Sequence, residues 1–296
     1  MRTYIAVLFL LCLFNSFAGQ SNITHQVNGA PKNDNFKPVE LPMVVRKGAA
    51  IIQIMIGDQG PYNVALATGM NRSTLSWQVK EELGLPLMYT FDPTAQKGNY
   101  ALASNVKLGE LELGKLYVTL GDFNDIRQDL SFPLHGTLGY DFLKHVIVQI
   151  DYKNKKLRVF PKSRRNSPTN SSPSSLELKM EVVGEDRKPV IDDVLINGLA
   201  FKAMIDTWQN IALSLTPAAV AKLNLETVPE KSKPRIGTIE TLQIGIIKLS
   251  SPETAFYGKK KGLDHGLGKY GAIIGGGFLQ NFSVTFDFPN KRITFE

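Results

Sequence analysis

Short runs of alternating apolar and polar residues recur along the chain and predict a mostly β protein. Residues 111–115 and 242–246 alternate in this way, and each run carries a glycine where a hairpin would turn. Residues 146–151 and 282–287 also have strand composition, and each run is followed by a turn that contains an asparagine and then by a further strand. The pattern therefore predicts many short strands joined by tight turns.

Two polar segments without any period divide the chain. Residues 19–38 are rich in asparagine, and residues 162–175 consist mainly of serine, proline, asparagine and basic residues. Neither segment has apolar positions to bury, which is typical of flexible leaders and linkers. We therefore predict a leader at 19–38, a first lobe at 39–161, a linker at 162–175 and a second lobe at 176–296.

The two lobes repeat one another. Residues 57–85 align with 197–225, and in both copies a strand ends in a tight turn that is followed by a helical stretch. Residues 136–143 align with 272–279, where a shorter helix is expected around Phe142 and Phe278. The repeat predicts two similar β-barrel-like lobes, each with one or two short helices.

The first 18 residues have the composition of a secretory signal peptide. Arg2 precedes an apolar run that is too short to span a bilayer, and the segment ends in Ser16, Phe17 and Ala18. The only cysteine, Cys12, lies within this run, so the mature chain is expected to have none. We therefore expect an exported protein, periplasmic or secreted, that has no integral membrane span and is held together by its hydrophobic cores.

Composition and charge argue against several classes of function. The chain has 296 residues and a formal net charge of +7, but its basic residues occur in short runs without interleaved aromatic residues. This pattern does not indicate a nucleic-acid site, although it leaves weak contact with an acidic polymer or membrane surface open. The segment 266–271 has the spacing Gly-x-Gly-x-x-Gly, but it follows a loop and precedes a strand, so it does not predict a dinucleotide site.

No metal or other cofactor is expected. His135, Asp141 and His145 are close in sequence, which raises the possibility of a metal site. The two histidines fall at the starts of two different predicted strands, however, so surface or core histidines are the more common interpretation.

Four short motifs, two in each lobe, carry a resemblance to a known family. Ala-Thr-Gly at 67–69 aligns with Asp-Thr-Trp at 206–208, and Thr-Leu-Gly at 137–139 aligns with Ile-Ile-Gly at 273–275. In this order and in two copies, they resemble the pepsin and retropepsin clan of aspartic peptidases, in particular the bacterial exported aspartyl-protease-like proteins. The resemblance covers almost all of both lobes and implies the aspartic protease fold, with a cleft between the lobes.

The resemblance also implies a chemistry that requires two aspartates. The two carboxyl groups share one proton, so that one activates water while the other protonates the peptide carbonyl. In this sequence Ala67 replaces the first aspartate, and Asp206 remains. Asp58 could substitute for the missing acid only if the alignment were wrong, because it lies in a turn that matches residues 197–198. A lone Asp206 is expected to be half-buried, with no like charge to raise its pKa.

The resemblance assigns roles to five further residues. Thr68 and Thr207 are expected to clasp the lobes together, and Gly69 to leave room for a carboxylate that its N–H helps to hold. Trp208 replaces the second glycine and is either a core or rim aromatic or a residue that fills the cleft. Tyr100 is placed at the tip of a flap over the cleft or, alternatively, on an exposed hairpin; residues 234–239 are its counterpart in lobe two.

These features predict an exported pseudo-peptidase that binds a peptide or a protein partner in the cleft. One alternative is an active aspartic endopeptidase that uses Asp206, with a second carboxylate supplied by another chain. A second alternative is a structural envelope protein without a cleft ligand.

Overall fold

The computed structural model describes residues 28–88, 100–163, 175–184, 187–226, 234–258 and 271–296. The predicted signal peptide, most of the predicted linker and most of the segment 266–271 lie outside these ranges. Within them the chain is mostly β, with short helices, so the predicted fold class is confirmed. No helix in this part of the chain is long and apolar enough to cross a membrane.

The described residues of lobe one form thirteen strands and three short helices. Its strands are β1 (Val39–Pro42), β2 (Val44–Arg46), β3 (Ala49–Ile56), β4 (Gln59–Leu66), β5 (Thr74–Ser76), β6 (Leu87–Met88), β7 (Tyr100–Ser104), β8 (Val106–Leu108), β9 (Leu111–Glu112), β10 (Lys115–Gly121), β11 (Gly136–Leu138), β12 (Val146–Asp151) and β13 (Lys156–Pro161). Its helices are α1 (Trp77–Glu82), α2 (Asn124–Leu130) and α3 (Tyr140–Leu143).

Lobe two repeats this plan with fewer elements. Its strands are β14 (Leu176–Lys179), β15 (Glu181–Val183), β16 (Lys188–Ile196), β17 (Leu199–Asp206), β18 (Leu213–Leu215), β19 (Arg235–Thr238), β20 (Thr241–Ile244), β21 (Ile247–Ser250), β22 (Glu253–Phe256), β23 (Ala272–Gly275), β24 (Ser283–Asp287) and β25 (Arg292–Phe295). Its helices are α4 (Pro217–Lys222) and α5 (Gly276–Leu279).

Corresponding strands of the two lobes pair in the same way. In lobe one, β11 runs parallel to β4 and antiparallel to β5, and β5 runs parallel to β10. In lobe two, β23 runs parallel to β17 and antiparallel to β18, and β18 runs parallel to β22. The sequence repeat therefore corresponds to a repeat of topology.

A six-stranded sheet joins the lobes, in the order β1-β13-β12-β24-β25-β14. Its centre is the antiparallel pair β12 and β24, in which Ile147 lies opposite Asp287 and Asp151 lies opposite Ser283. The turn after each central strand is built alike, because Asn154 donates to the carboxylate of Asp151 and Asn290 donates to that of Asp287. Ladder hydrogen bonds therefore continue without a break from one lobe into the other.

The lobes also approach closely at two glycines. A Cβ atom added to Gly276, at the start of α5, would lie 2.5 Å from the carbonyl oxygen of Gly48 in the β2–β3 turn. Only a residue without a side chain fits such a backbone contact. This turn of lobe one therefore packs directly on the first residues of α5 in lobe two.

The helix α2 was not predicted. It has the sequence Asn-Asp-Ile-Arg-Gln-Asp-Leu, and none of its residues is fully buried. Only Ile126 and Leu130 are apolar, and both pack on a small cluster that includes Ala49 and Phe123. Two apolar residues four positions apart are too few for a helical period to stand out from the sequence.

The end of the predicted leader is packed rather than free. Pro31 bridges Leu113, and the N–H of Gly29 donates to the carbonyl oxygen of Lys115 at 3.0 Å. Gly29 and Pro31 are buried. Backbone hydrogen bonds therefore hold residues 29–32 of the predicted leader against lobe one, although this segment has few apolar side chains.

Candidate active site

The ends of β4 and β17 meet through two buried threonines. The Thr68 hydroxyl donates to the carbonyl oxygen of Ile205 at 3.0 Å and accepts from the N–H of Thr207 at 3.1 Å. In the reciprocal arrangement, the Thr207 hydroxyl donates to the carbonyl oxygen of Leu66 at 2.6 Å and accepts from the N–H of Thr68 at 3.2 Å. We refer to this set of four hydrogen bonds as the threonine clasp. It satisfies four backbone groups that are shielded from water.

The clasp places the Asp206 carboxyl group against Gly69. A Cβ atom added to Gly69 would lie 2.7 Å from Cγ and from Oδ2 of Asp206, so a side chain at residue 69 would collide with the carboxyl group. The carboxylate accepts hydrogen bonds from the N–H groups of Gly69 and Trp208, the latter at 2.9 Å to Oδ1. One residue from each lobe therefore donates to Asp206.

The environment of Asp206 differs from the prediction of a half-buried acid with an ordinary pKa. Its side chain is buried, with 8% relative exposure, and this desolvation raises its pKa. The N–H donors and the positive charge of Lys188 act in the opposite direction but do not outweigh burial. The prediction was wrong because it considered only a second carboxylate as a cause of a raised pKa.

Ala67 leaves the partner position without a titratable group. It is fully buried, and its N–H donates to the carbonyl oxygen of Leu138 at 3.0 Å. Asp58 does not substitute for it, because Asp58 is exposed in the turn before β4, at the opposite end of that strand. In the part of the chain that the structure describes, no second carboxyl group contributes to the pKa shift of Asp206.

Sequence reasoning missed Tyr152, a buried residue that lies within the electrostatic influence of Asp206. Burial and the charge of Asp206 raise the pKa of Tyr152, and its Oη has no hydrogen-bond partner among the described residues. Tyr152 comes directly after β12 in the sheet that joins the lobes. The order of residues along the chain carries no signal that this side chain lies near Asp206.

Trp208 extends from lobe two onto the surface of lobe one. Its half-buried indole packs on an apolar cluster that contains Ala49, Ile51 and Phe123. A cavity of about 380 Å³ lies beside it. The residues that line this cavity, which we call the Trp208 cavity, are Lys47, Ala49, Asp125, Ile126, Asp129, Leu130, Trp208, Gln209 and Asn210. The indole therefore occupies space between the lobes and also forms one wall of an open cavity.

Tyr100 does not lie at a hairpin tip. It is the first residue of β7, where it pairs with Met88 on one side and Thr119 on the other, and it is only 7% exposed. The guanidinium of Arg72 lies 5.5 Å from the centre of its ring. Both the tip position and the exposed alternative were therefore wrong; the connection from Met88 to Tyr100 lies outside the described residues.

The three residues considered for a metal site each take part in other hydrogen bonds. His135 accepts from the N–H of Asn63, and His145 bonds the carbonyl oxygen of Asn28. Asp141 is buried and accepts from the N–H and the hydroxyl of Ser73. Over the described ranges, no group of three or more potential ligands is placed to hold a metal ion.

Comparison with solved structures identifies the fold as that of the pepsin-like aspartic proteases. The chain is similar to the aspartic proteinase of Irpex lacteus, with a TM-score of 0.54 and 11% identity over 88% of this chain and 97% of that one. It is also similar to basic 7S globulin from soybean (TM-score 0.53, 11% identity, 88% and 95% of the two chains). A third similar structure is conglutin gamma, a basic 7S globulin from lupine seeds (TM-score 0.52, 11% identity, 88% and 95%). No protein-family model and no curated protein matches the chain.

Replacing Thr68 with valine should destabilise the protein by about 3 kcal/mol, because the change leaves the Ile205 carbonyl and the Thr207 N–H unsatisfied in a buried place. Thr285→Val is a matched control, since the buried Thr285 hydroxyl has no partner in the described structure. We expect the control to change the free energy of unfolding by less than about 1 kcal/mol. Denaturant unfolding measures both values, and equal losses would contradict the role of the clasp.

The Asp206→Asn variant should change how stability depends on pH. Because burial raises the native pKa of Asp206, the native state binds this proton more tightly than the unfolded state does. The free energy of unfolding of the wild type, relative to the variant, should therefore fall as pH rises above about 4 and level off above the native pKa. A difference that is constant, or that rises with pH over this window, would show that Asp206 is not buried as described.

Proposed function

We propose that this protein uses the pepsin-like aspartic protease fold to bind an extended peptide or a partner segment in the inter-lobe cleft, without cutting it. The observation that carries the proposal is Ala67 at the position where the family supplies its first carboxyl group. General acid–base hydrolysis by this fold needs one carboxyl group to take a proton from water and another to give one to the substrate. Asp206 alone cannot perform both roles in the same step.

The surroundings of Asp206 support the proposal that the cleft binds a peptide or a partner segment. The threonine clasp keeps the two lobes in contact where the ends of β4 and β17 meet. The Trp208 cavity offers the apolar faces of Ala49, Ile126 and Leu130 beside the indole. An apolar peptide side chain has the size and the chemistry to fill such a space.

The edge strand of lobe two also supports binding of extended chains. The strand β19 ends the nine-stranded sheet and pairs only with β22 among the described residues. Three of its four residues are exposed. Unpaired backbone groups at a sheet edge accept a further strand, which is a common way in which proteins bind peptides.

We also propose that the protein is exported. Residues 1–18 have the composition of a signal peptide, and the chain has no cysteine beyond that segment. We infer that the protein acts outside the cytoplasm on peptides or partner proteins present there.

The second candidate, an active endopeptidase, is favoured by Asp206 itself. A carboxyl group with a raised pKa, held by N–H groups of both lobes, is a suitable acid for a hydrolytic site. Such a site would still require a second carboxylate from another chain. A structural role without any ligand is the third outcome that the experiment below distinguishes.

Tryptophan fluorescence tests the proposal, because the chain has only two tryptophans. In Trp77→Phe the remaining indole is Trp208, which borders the cavity; in Trp208→Phe it is Trp77, which lies at the start of α1. Titration with a library of extended peptides that lack tryptophan should produce a saturable change in emission in the first variant and not in the second. An equal response of both variants, or none, would contradict binding beside Trp208.

The peptides recovered after the titration report on cleavage. Mass spectrometry at acidic and neutral pH should find them intact, both with the wild type and with Asp206→Asn. Fragments that form with the wild type and disappear with Asp206→Asn would establish the active endopeptidase instead.

A further inference from the structure

A histidine holds the segment between α2 and β11 against lobe one. His135 lies just before β11, and its Nδ1 accepts a hydrogen bond from the N–H of Asn63 in β4 at 2.9 Å. The N–H of His135 donates to the carbonyl oxygen of Asn63 at 2.8 Å, and the Asn63 side-chain amide donates to the carbonyl oxygen of Pro133 at 2.8 Å. We call these three contacts the histidine latch. They fix residues 133–135 on β4.

The latch requires one protonation state of its imidazole. An N–H group can donate only to a ring nitrogen that carries no proton, so the proton of the neutral ring lies on Nε2 of His135. A second proton, added at Nδ1, would remove the acceptor of the Asn63 N–H and set one donor against another. The hydrogen bond that closes the latch therefore breaks when His135 ionises.

Three ionisable side chains from three elements face His135. The Arg127 guanidinium of α2 acts on the imidazole as a like charge to its ionised form, and Nε of this guanidinium donates to the carbonyl oxygen of Leu134. Glu82 of α1 acts in the opposite sense, and the Tyr62 ring of β4 contacts the imidazole edge-on, with 5.6 Å between the ring centres. Burial and the charge of Arg127 outweigh Glu82 and lower the pKa of His135. The latch is therefore closed at neutral pH.

The residue beside the latch belongs to the apolar cluster on which Trp208 packs. Leu134 is fully buried in this cluster, and Ile126, Leu130 and Trp208 pack against it. The same three side chains line the Trp208 cavity. Since α2 has no fully buried residue of its own, its position depends on this cluster and on the segment that follows it. Release of residues 133–135 therefore removes support from one wall of the cavity.

We propose that the histidine latch is a pH switch: protonation of His135 releases residues 133–135 from β4 and frees α2, which forms one wall of the Trp208 cavity. The proton enters at Nδ1, the hydrogen bond from the Asn63 N–H breaks, and the new imidazolium is repelled by Arg127. The switch is a property of the free protein, so it does not depend on peptide binding beside Trp208.

Hydrogen exchange measured by mass spectrometry tests the proposal on the segment 124–135, after correction for the intrinsic pH dependence of exchange. Between about pH 7.5 and about pH 4.5 its exchange in the wild type should accelerate about tenfold or more, because a buried hydrogen bond is lost. His135→Asn should abolish this response, since an amide oxygen near the position of Nδ1 still accepts from Asn63 but takes up no proton. His145→Asn is the matched control: it removes another half-buried histidine of lobe one, which bonds Asn28, and should respond as the wild type does.

Two further measurements separate the switch from general unfolding. The strand β12, in the sheet that joins the lobes, should stay protected over the same pH range. In Trp77→Phe the emission of Trp208 should change with a midpoint below about pH 6.5, and the change should vanish when His135→Asn is added. The proposal is overturned if the segment 124–135 shows no acid response in the wild type, if His135→Asn responds as the wild type does, or if β12 loses protection to the same extent.

Discussion

The reciprocal hydrogen bonding of Thr68 and Thr207 is the constraint on which the arrangement of the two lobes depends. Each hydroxyl satisfies a carbonyl and an N–H of the opposite lobe in a place that water does not reach. Because an unsatisfied buried backbone group costs about 1–3 kcal/mol, the ends of β4 and β17 gain by staying together. The six-stranded sheet continues the same connection through β12 and β24. Hydrogen bonds to the backbone therefore fix the base of the cleft, independently of the side chains that lie above it.

The clasp also explains why lobe one has glycine at residue 69 whereas lobe two has tryptophan at residue 208. It brings the Asp206 carboxyl group to 2.7 Å from the position that a Cβ atom of residue 69 would take, so residue 69 must be glycine. The repeat places residue 208 in the same relation to residue 67. Ala67 has no carboxyl group, so the collision that requires glycine at residue 69 has no counterpart at residue 208, and Trp208 packs on lobe one. In this account Ala67 is compatible with a large side chain at residue 208, whereas Asp206 requires glycine at residue 69.

The sequence could predict the features that the two copies of the repeat share, but not those that depend on contacts between residues distant in sequence. The two-fold pattern predicted two similar, mostly β lobes, because the copies could be aligned with each other. The clasp between Thr68 and Thr207 was implied by the family resemblance. The burial of Asp206 and of Tyr100 could not be read in this way, since it depends on neighbours that are distant in sequence, such as Gly69 and Thr119. The short helix α2 has no counterpart among the described residues of lobe two, so it had neither a period nor a repeat to indicate it.

The most direct test of the account is an NMR titration of the Asp206 carboxyl carbon, assigned by comparison with Asp206→Asn. A carboxyl group that is buried without an acidic partner should titrate in a single step, with a pKa above the ordinary value for aspartate. A second carboxyl group sharing the proton, whether from an undescribed part of this chain or from another chain, would produce two coupled steps. A single raised pKa is the result that this account predicts, and a two-step curve would contradict it.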